Sequence, residues 1–206
     1  MSEESFKLDT ADKRRTLWIV LLLNLALAAG FGVTGVLADS SALIANGLDN
    51  ASDAIVYVIS LLALARSPKW KRGAAITSGV LLLVFAAGVL FDAGRRYFTG
   101  SEPIGPTMIG MAIVAAIVNG LCLWLLKRLR EPDVNLRAAT TFSFNDFISN
   151  GGIVVAGGIV IWTGQNWPDL VLGVAVACIA IKGGITILKD ARSDAIESKE
   201  RARLTS

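Results

Sequence analysis

Six stretches of about 20 predominantly apolar residues, near 17–38, 42–65, 74–97, 107–126, 136–162 and 170–188, constrain this chain more than any other feature. Each is long enough to cross a bilayer as an α-helix, and in hydrocarbon every backbone polar group must be satisfied within the protein. Gly and Pro punctuate the joints at SPKWKRG, GSEPIGP, REPDV and TGQNWPD. Charged residues make up only 18% of the chain and crowd into short segments, while 53% of it is hydrophobic. The fold expected is all-α, a polytopic membrane protein with six transmembrane helices. Residues 1–15 read as an N-terminal tail, 16–190 as the six-helix domain, and 191–206 as a short second tail.

The basic residues predict how such a bundle is oriented. Lys7, Lys13, Arg14 and Arg15 precede the first span, and Arg66, Lys69, Lys71 and Arg72 follow the second. Lys127, Arg128 and Arg130 follow the fourth; Lys189, Arg192, Lys199, Arg201 and Arg203 follow the sixth. The opposite loops carry only Arg95 and Arg96, near the end of the third span. Under the positive-inside rule both termini are cytoplasmic, in the plasma membrane or in the inner membrane of a bacterium. The net charge of +3 is then orientation chemistry, and a nucleic-acid partner is not expected. Trp18 and Trp124 near one boundary, with Trp162 and Trp167 near the other, fit interfacial belts.

A polar, mixed-charge start followed by a full-length span reads as a retained first helix rather than a signal peptide. Cys122 and Cys178 lie inside apolar spans and read as small core residues. The chain has no histidine, so a metal site must be built from oxygen ligands. Nothing in the pattern calls for a catalytic group or a resident cofactor.

Three aspartates interrupt the apolar stretches: Asp49 and Asp53 in the second, Asp146 in the fifth. A carboxylate within the bilayer is costly and is kept mainly for ions, protons or a partner charge. The spacing of Asp49 and Asp53 stacks them on one helix face, about one turn apart, where they repel unless a cation or protons intervene. The pattern reads as a cation site. The competing reading is pairing with a buried Arg or Lys, but Arg137 and Lys182 are expected too near the cytoplasmic ends to neutralise all three. Asn46 lies one turn before Asp49, Ser143 one turn before Asp146, and Asn150 one turn after it. Each reads either as a supporting ligand or as an interhelical hydrogen-bonding group. Asn145 is expected to point elsewhere.

The run from Leu23 to Ser67, with Asn24, Ser41 through Ala45, Asp49 and Asp53, resembles the first two helices of cation diffusion facilitators. Asn135, Arg137, Ala138 and Asp146 resemble the family's fifth helix, and ACIAIKGGITILKDA its sixth, including a basic residue at Lys182. Three positions depart. The fifth-helix histidine of the family falls on Phe142, the residue before the second-helix pair is Asn46 rather than Asp, and the metal-sensing cytoplasmic domain and His-rich loop usual in the family are not in this sequence. The resemblance implies a homodimeric divalent-metal efflux transporter, with Asp49, Asp53 and Asp146 binding the ion. It also implies that the first, second, fourth and fifth helices surround the site while the third and sixth stand apart. Dimer contacts would then lie within the membrane helices.

The mechanism expected is metal/proton antiport by alternating access, with Zn²⁺ as the principal ion and Cd²⁺, Co²⁺, Mn²⁺ and Fe²⁺ also compatible with oxygen ligands. Two other readings stand beside it. One is a transport-inactive structural or accessory membrane protein. The other is an intramembrane aspartyl enzyme, for which the required Gly-x-Gly-Asp setting is missing.

The remaining features are read as structural. Gly30, Gly32, Gly35, Gly151, Gly152, Gly157 and Gly158 are expected to allow close helix packing, with hinges as the other possibility. Asp92 is expected to pair with Arg95 and Arg96 and anchor the third helix. Asp39 reads as a helix-end or N-cap residue before Ser40 and Ser41, or as an attractor of cations.

Overall fold

The computed structural model describes residues 3–63, 68–128 and 134–204, and every element in them is helical. The helices are α1 (Glu3–Leu37), α2 (Ser41–Ala63), α3 (Pro68–Thr99), α4 (Gly105–Lys127), α5 (Val134–Thr163) and α6 (Trp167–Leu204). Helix α1 begins within the expected N-terminal tail and α6 continues through the expected second tail. Five of the six, all except α2, are long and apolar enough to cross a membrane. Helix α2 has the length, but Asn46, Asp49, Asn50, Ser52 and Asp53 fall in one polar run and lower its hydropathy.

Three connections meet at one end of the bundle, and each carries a left-handed residue just after the helix it follows. Gly100 (φ 83°) and Gly164 (φ 66°) close α3 and α5, where the missing Cβ makes the conformation cheap. Asp39 (φ 50°) does the same after α1, and the Ser40 N–H reaches back to the Gly35 carbonyl at 2.9 Å. The expected N-cap role is not taken by Asp39. Ser40 caps α2, its hydroxyl accepting from the Leu43 N–H at 3.1 Å. Asp39 instead accepts from the Arg96 guanidinium and, at 2.9 Å, from the Glu102 N–H.

Helix α1 packs on α2 and α4, and α4 on α5, while α3 and α6 lie against each other and against α2. The α4–α5 crossing is close because a Cβ at Gly157 would meet Ile109 Cγ1 at 2.9 Å, and one at Gly105 would meet the Gly157 carbonyl oxygen at 2.7 Å. Gly30, Gly35 and Gly152 are also packed against neighbouring side chains. Gly32, Gly151 and Gly158 face open space and do not serve the close packing expected of them.

The polarity of the bundle is inverted relative to a water-soluble protein. Leu22, Val36, Leu37, Val84, Phe91, Ile117 and Val155 are exposed, while Asn24, Asn46, Asn50, Asn119 and Asn150 are buried. Along α1, α2 and α4 these amides fall between two apolar clusters. One cluster holds Leu27, Phe31, Leu43, Met108, Ala115 and Ile153; the other holds Leu17, Leu21, Ala54, Tyr57, Cys122 and Leu126. Lipid accepts the apolar outside, and polar side chains are driven inward to find partners. Trp18, Trp124, Trp162 and Trp167 all lie on the outer surface, as belts require. Cys122 is in the core, but Cys178 is exposed on α6 and is not the core residue expected.

Candidate functional site

Helix α2 is central because it touches four neighbours: α1, α3, α5 and α6. Gly173 brings α6 onto its first turn, since a Cβ there would lie 3.0 Å from the Ser41 carbonyl carbon. That turn is also held electrostatically. Asp169, buried on α6, accepts from the Ser40 hydroxyl at 2.5 Å, the Ser41 N–H at 2.7 Å and the Ala42 N–H at 3.1 Å. A carboxylate at a helix N-terminus takes up N–H groups that otherwise have no intrahelical partner, and it complements the helix dipole. Nearby, Arg96 is bound by Asp92 at 2.5 Å and by Asp39, and Arg95 pairs with Asp92 at 2.9 Å. The predicted Asp92 pairs are present, with Asp39 added.

Deeper along α2, a cavity of about 600 Å³ opens beside the aspartates. Asp49, Ser52 and Asp53 line it from α2, Ser78 and Leu82 from α3, Asn145 and Asp146 from α5, and Ile179, Lys182, Gly183 and Thr186 from α6. Asp53 and Asp146 are 8% and 2% exposed, so almost no bulk water screens them. Asp53 lies within electrostatic reach of both Asp49 and Asp146. Oδ2 of Asp146 is buried without a hydrogen-bond partner. Among the described residues, no three acidic or thiol groups converge closely enough to hold one ion. The carboxylates share a cavity and do not converge within it.

The other sequence candidates separate. Asn46 is wholly buried and engaged at both ends, its amide nitrogen donating to the Ala42 carbonyl and its oxygen accepting from Ser149 at 2.8 Å. Asn150 faces a second, apolar groove between α4 and α5, and neither it, Asn46 nor Ser143 lines the acidic cavity. Asn145 does line it, against expectation, because the cavity spans the directions of two successive residues on α5. Helices α3 and α6 pair with each other but do not stand apart, since both wall the cavity. Lys182, expected near the end of its helix and too far along it to neutralise all three acids, lines the same cavity from α6 but makes no ion pair with them among the described residues.

Three groups escaped the sequence reading. Tyr57 lies near Asp53 and Asp146, and its place one turn after Asp53 was the available signal. Asp169 carried no local signal because its partners are distant in sequence, and Ser78 none because it joins the cavity only through the packing of α3. The side chains of Lys7, Lys13, Lys69, Lys71, Arg72, Arg137, Phe142, Lys199, Arg201 and Arg203, with Arg66 and Arg130, lie outside the described residues.

A helical bundle with an apolar outside and carboxylates around an inner cavity is a multi-pass membrane protein built round a polar path. The chain matches the cation efflux transmembrane domain over residues 17–194, and it belongs to that family of membrane transporters. It is 28% identical over 194 residues to the zinc transporter ZitB of Escherichia coli, covering 86% of this chain and 62% of that protein. It is 27% identical over 209 residues to ZitB of Yersinia pestis, covering 93% of this chain and 65% of that one. To the cadmium, cobalt and zinc/H(+)-K(+) antiporter of Bacillus velezensis it is 25% identical over 189 residues, covering 83% and 60%. The chain spans about three-fifths of the length of these curated relatives. The family is one of transporters, not enzymes.

Proposed function

We propose that this chain moves divalent metal ions out of the cytoplasm in exchange for protons, with Zn²⁺ the principal substrate and Cd²⁺, Co²⁺, Mn²⁺ and Fe²⁺ accessible to the same oxygen ligands. The observation that carries the reading is the single cavity shared by Asp49, Asp53 and Asp146, three carboxylates from two helices at membrane depth. Asp53 and Asp146 are nearly fully buried, and a dication is the economical way to relieve their mutual repulsion. The ion enters from the cytoplasm, draws the three carboxylates together and displaces the protons they hold. A rearrangement of the helices then opens the cavity to the other side, where protons rebind and release the ion. Relatives named as zinc transporters and as an antiporter of cadmium, cobalt and zinc support the substrate class.

The protein works in the plasma membrane with both termini cytoplasmic, as a homodimer joined through its membrane helices. Asn46, through Ser149, serves to align α2 with α5 rather than to hold the ion. Reconstitution into vesicles with a pH gradient, assayed with each of the five metals, tests the proposal. Gradient-driven Zn²⁺ flux is the expected result. Inserted protein that moves none of the five would leave the transport-inactive reading.

A further inference from the structure

Lys182 occupies a position that the metal reading leaves without a role. Ile179, Lys182, Gly183 and Thr186 recur at three- and four-residue spacing, so they form one face of α6, and that face lines the cavity of the three aspartates. Depth agrees with this placement. At about 1.5 Å per residue, Asp53 lies about 18 Å from the start of α2, Asp146 about 25 Å from the end of α5, and Lys182 about 22 Å from the start of α6. The three measures run from the same end of the bundle, so the lysine falls between the two buried carboxylates in height. An ammonium at such depth is expensive unless it meets water or an opposite charge. Lys182 is exposed on α6 and makes no ion pair with the acids, and the described ion pairs all lie at the end of α3, so the cavity acids carry no cation among the described residues.

We infer that Lys182 is a mobile counter-charge for the cavity: its ammonium swings onto the ionised aspartates from the α6 wall, and the incoming divalent ion displaces it from their oxygens. The inference rests on reading the cavity as a metal site. The charge count supports it, since three ionised carboxylates, one ammonium and one divalent ion sum to zero, and a neutral assembly is the least costly to keep away from water. The flexible four-carbon stem lets the ammonium move aside without moving α6. Lys182 would thereby set a threshold, admitting only ions that outcompete a tethered monovalent charge.

The test uses the full chain in lipid nanodiscs, comparing wild type with Lys182→Met and Lys182→Arg. Calorimetric Zn²⁺ binding should tighten at least about tenfold in Lys182→Met, because one repelling charge is gone, and stay near wild type in Lys182→Arg. With chelator present, Lys182→Met should melt earlier than wild type, and the difference should shrink when Asp146→Asn is added to both. Unchanged Zn²⁺ affinity, or a metal-free melting difference that ignores Asp146→Asn, would overturn the inference and leave Lys182 reaching out to the membrane boundary. Wild-type protein that binds no divalent ion would sink the metal reading alone. The metal-free cycle still decides whether Lys182 pairs with the aspartates.

Discussion

Removing one carboxylate from a repelling cluster relieves strain as well as deleting a ligand, so the cavity aspartates can be tested without unfolding the bundle. Asp49→Ala, Asp53→Ala and Asp146→Ala should each lose most metal flux while still inserting and eluting as folded protein. Near-normal flux in one of them would remove that residue from the site. Phe142 belongs to the same scale, since the resemblance puts the family's fifth-helix histidine at this position and this chain has no histidine. Phe142→His should raise apparent affinity for Zn²⁺ over Mn²⁺, as imidazole suits zinc better than a further oxygen does. Equal movement of both affinities would mean that position 142 faces away from the cavity. The aspartates were legible in the sequence because charges inside apolar runs announce themselves. The fates of Asn46 and Asn145 were not, because one depends on Ser149 of α5 and the other on the width of the cavity.

At the scale of the element, α2 carries two of the acids and is held at its first turn by Asp169 of α6. Asp169→Ala removes a charged acceptor from two backbone N–H groups and a hydroxyl, all buried. The cost should be about 3 kcal/mol, read as a clear fall in melting temperature of the detergent-solubilised protein. A variant that melts with wild type would show that the first turn of α2 is secured by Ser40 and Gly173 packing alone. Six helices were readable from six apolar windows, and Gly100 and Gly164 from their place at the joints. The clamp was not readable, since 128 residues separate Ser41 from Asp169.

On the scale of the whole molecule, the cavity is walled by four helices, and the proposed exchange needs protons. Under that proposal metal and protons compete for the same carboxylate oxygens, so Zn²⁺ affinity should fall on acidification, and binding should release protons. Calorimetry in buffers of different ionisation enthalpy measures that release directly. Metal binding that freed no protons between mildly acidic and neutral pH would favour a passive path over antiport.

The sequence by itself determined the solvent, the helix count and the three acids, because each is written locally: 20-residue apolar runs, Gly and Pro joints, and carboxylates set among leucines and valines. Its motifs also pointed to the family that the match over residues 17–194 bears out. Only the tertiary structure decided which neighbours those acids meet. Close glycine contacts at Gly173 on Ser41, and at Gly79 and Gly184 between α3 and α6, draw α3 and α6 in as walls of the cavity. That is why Lys182 lines the same cavity as the aspartates, while Asn150 turns to another groove. Such pairings depend on how closely two backbones approach, a distance set by side chains on both helices at once and therefore written in neither segment alone.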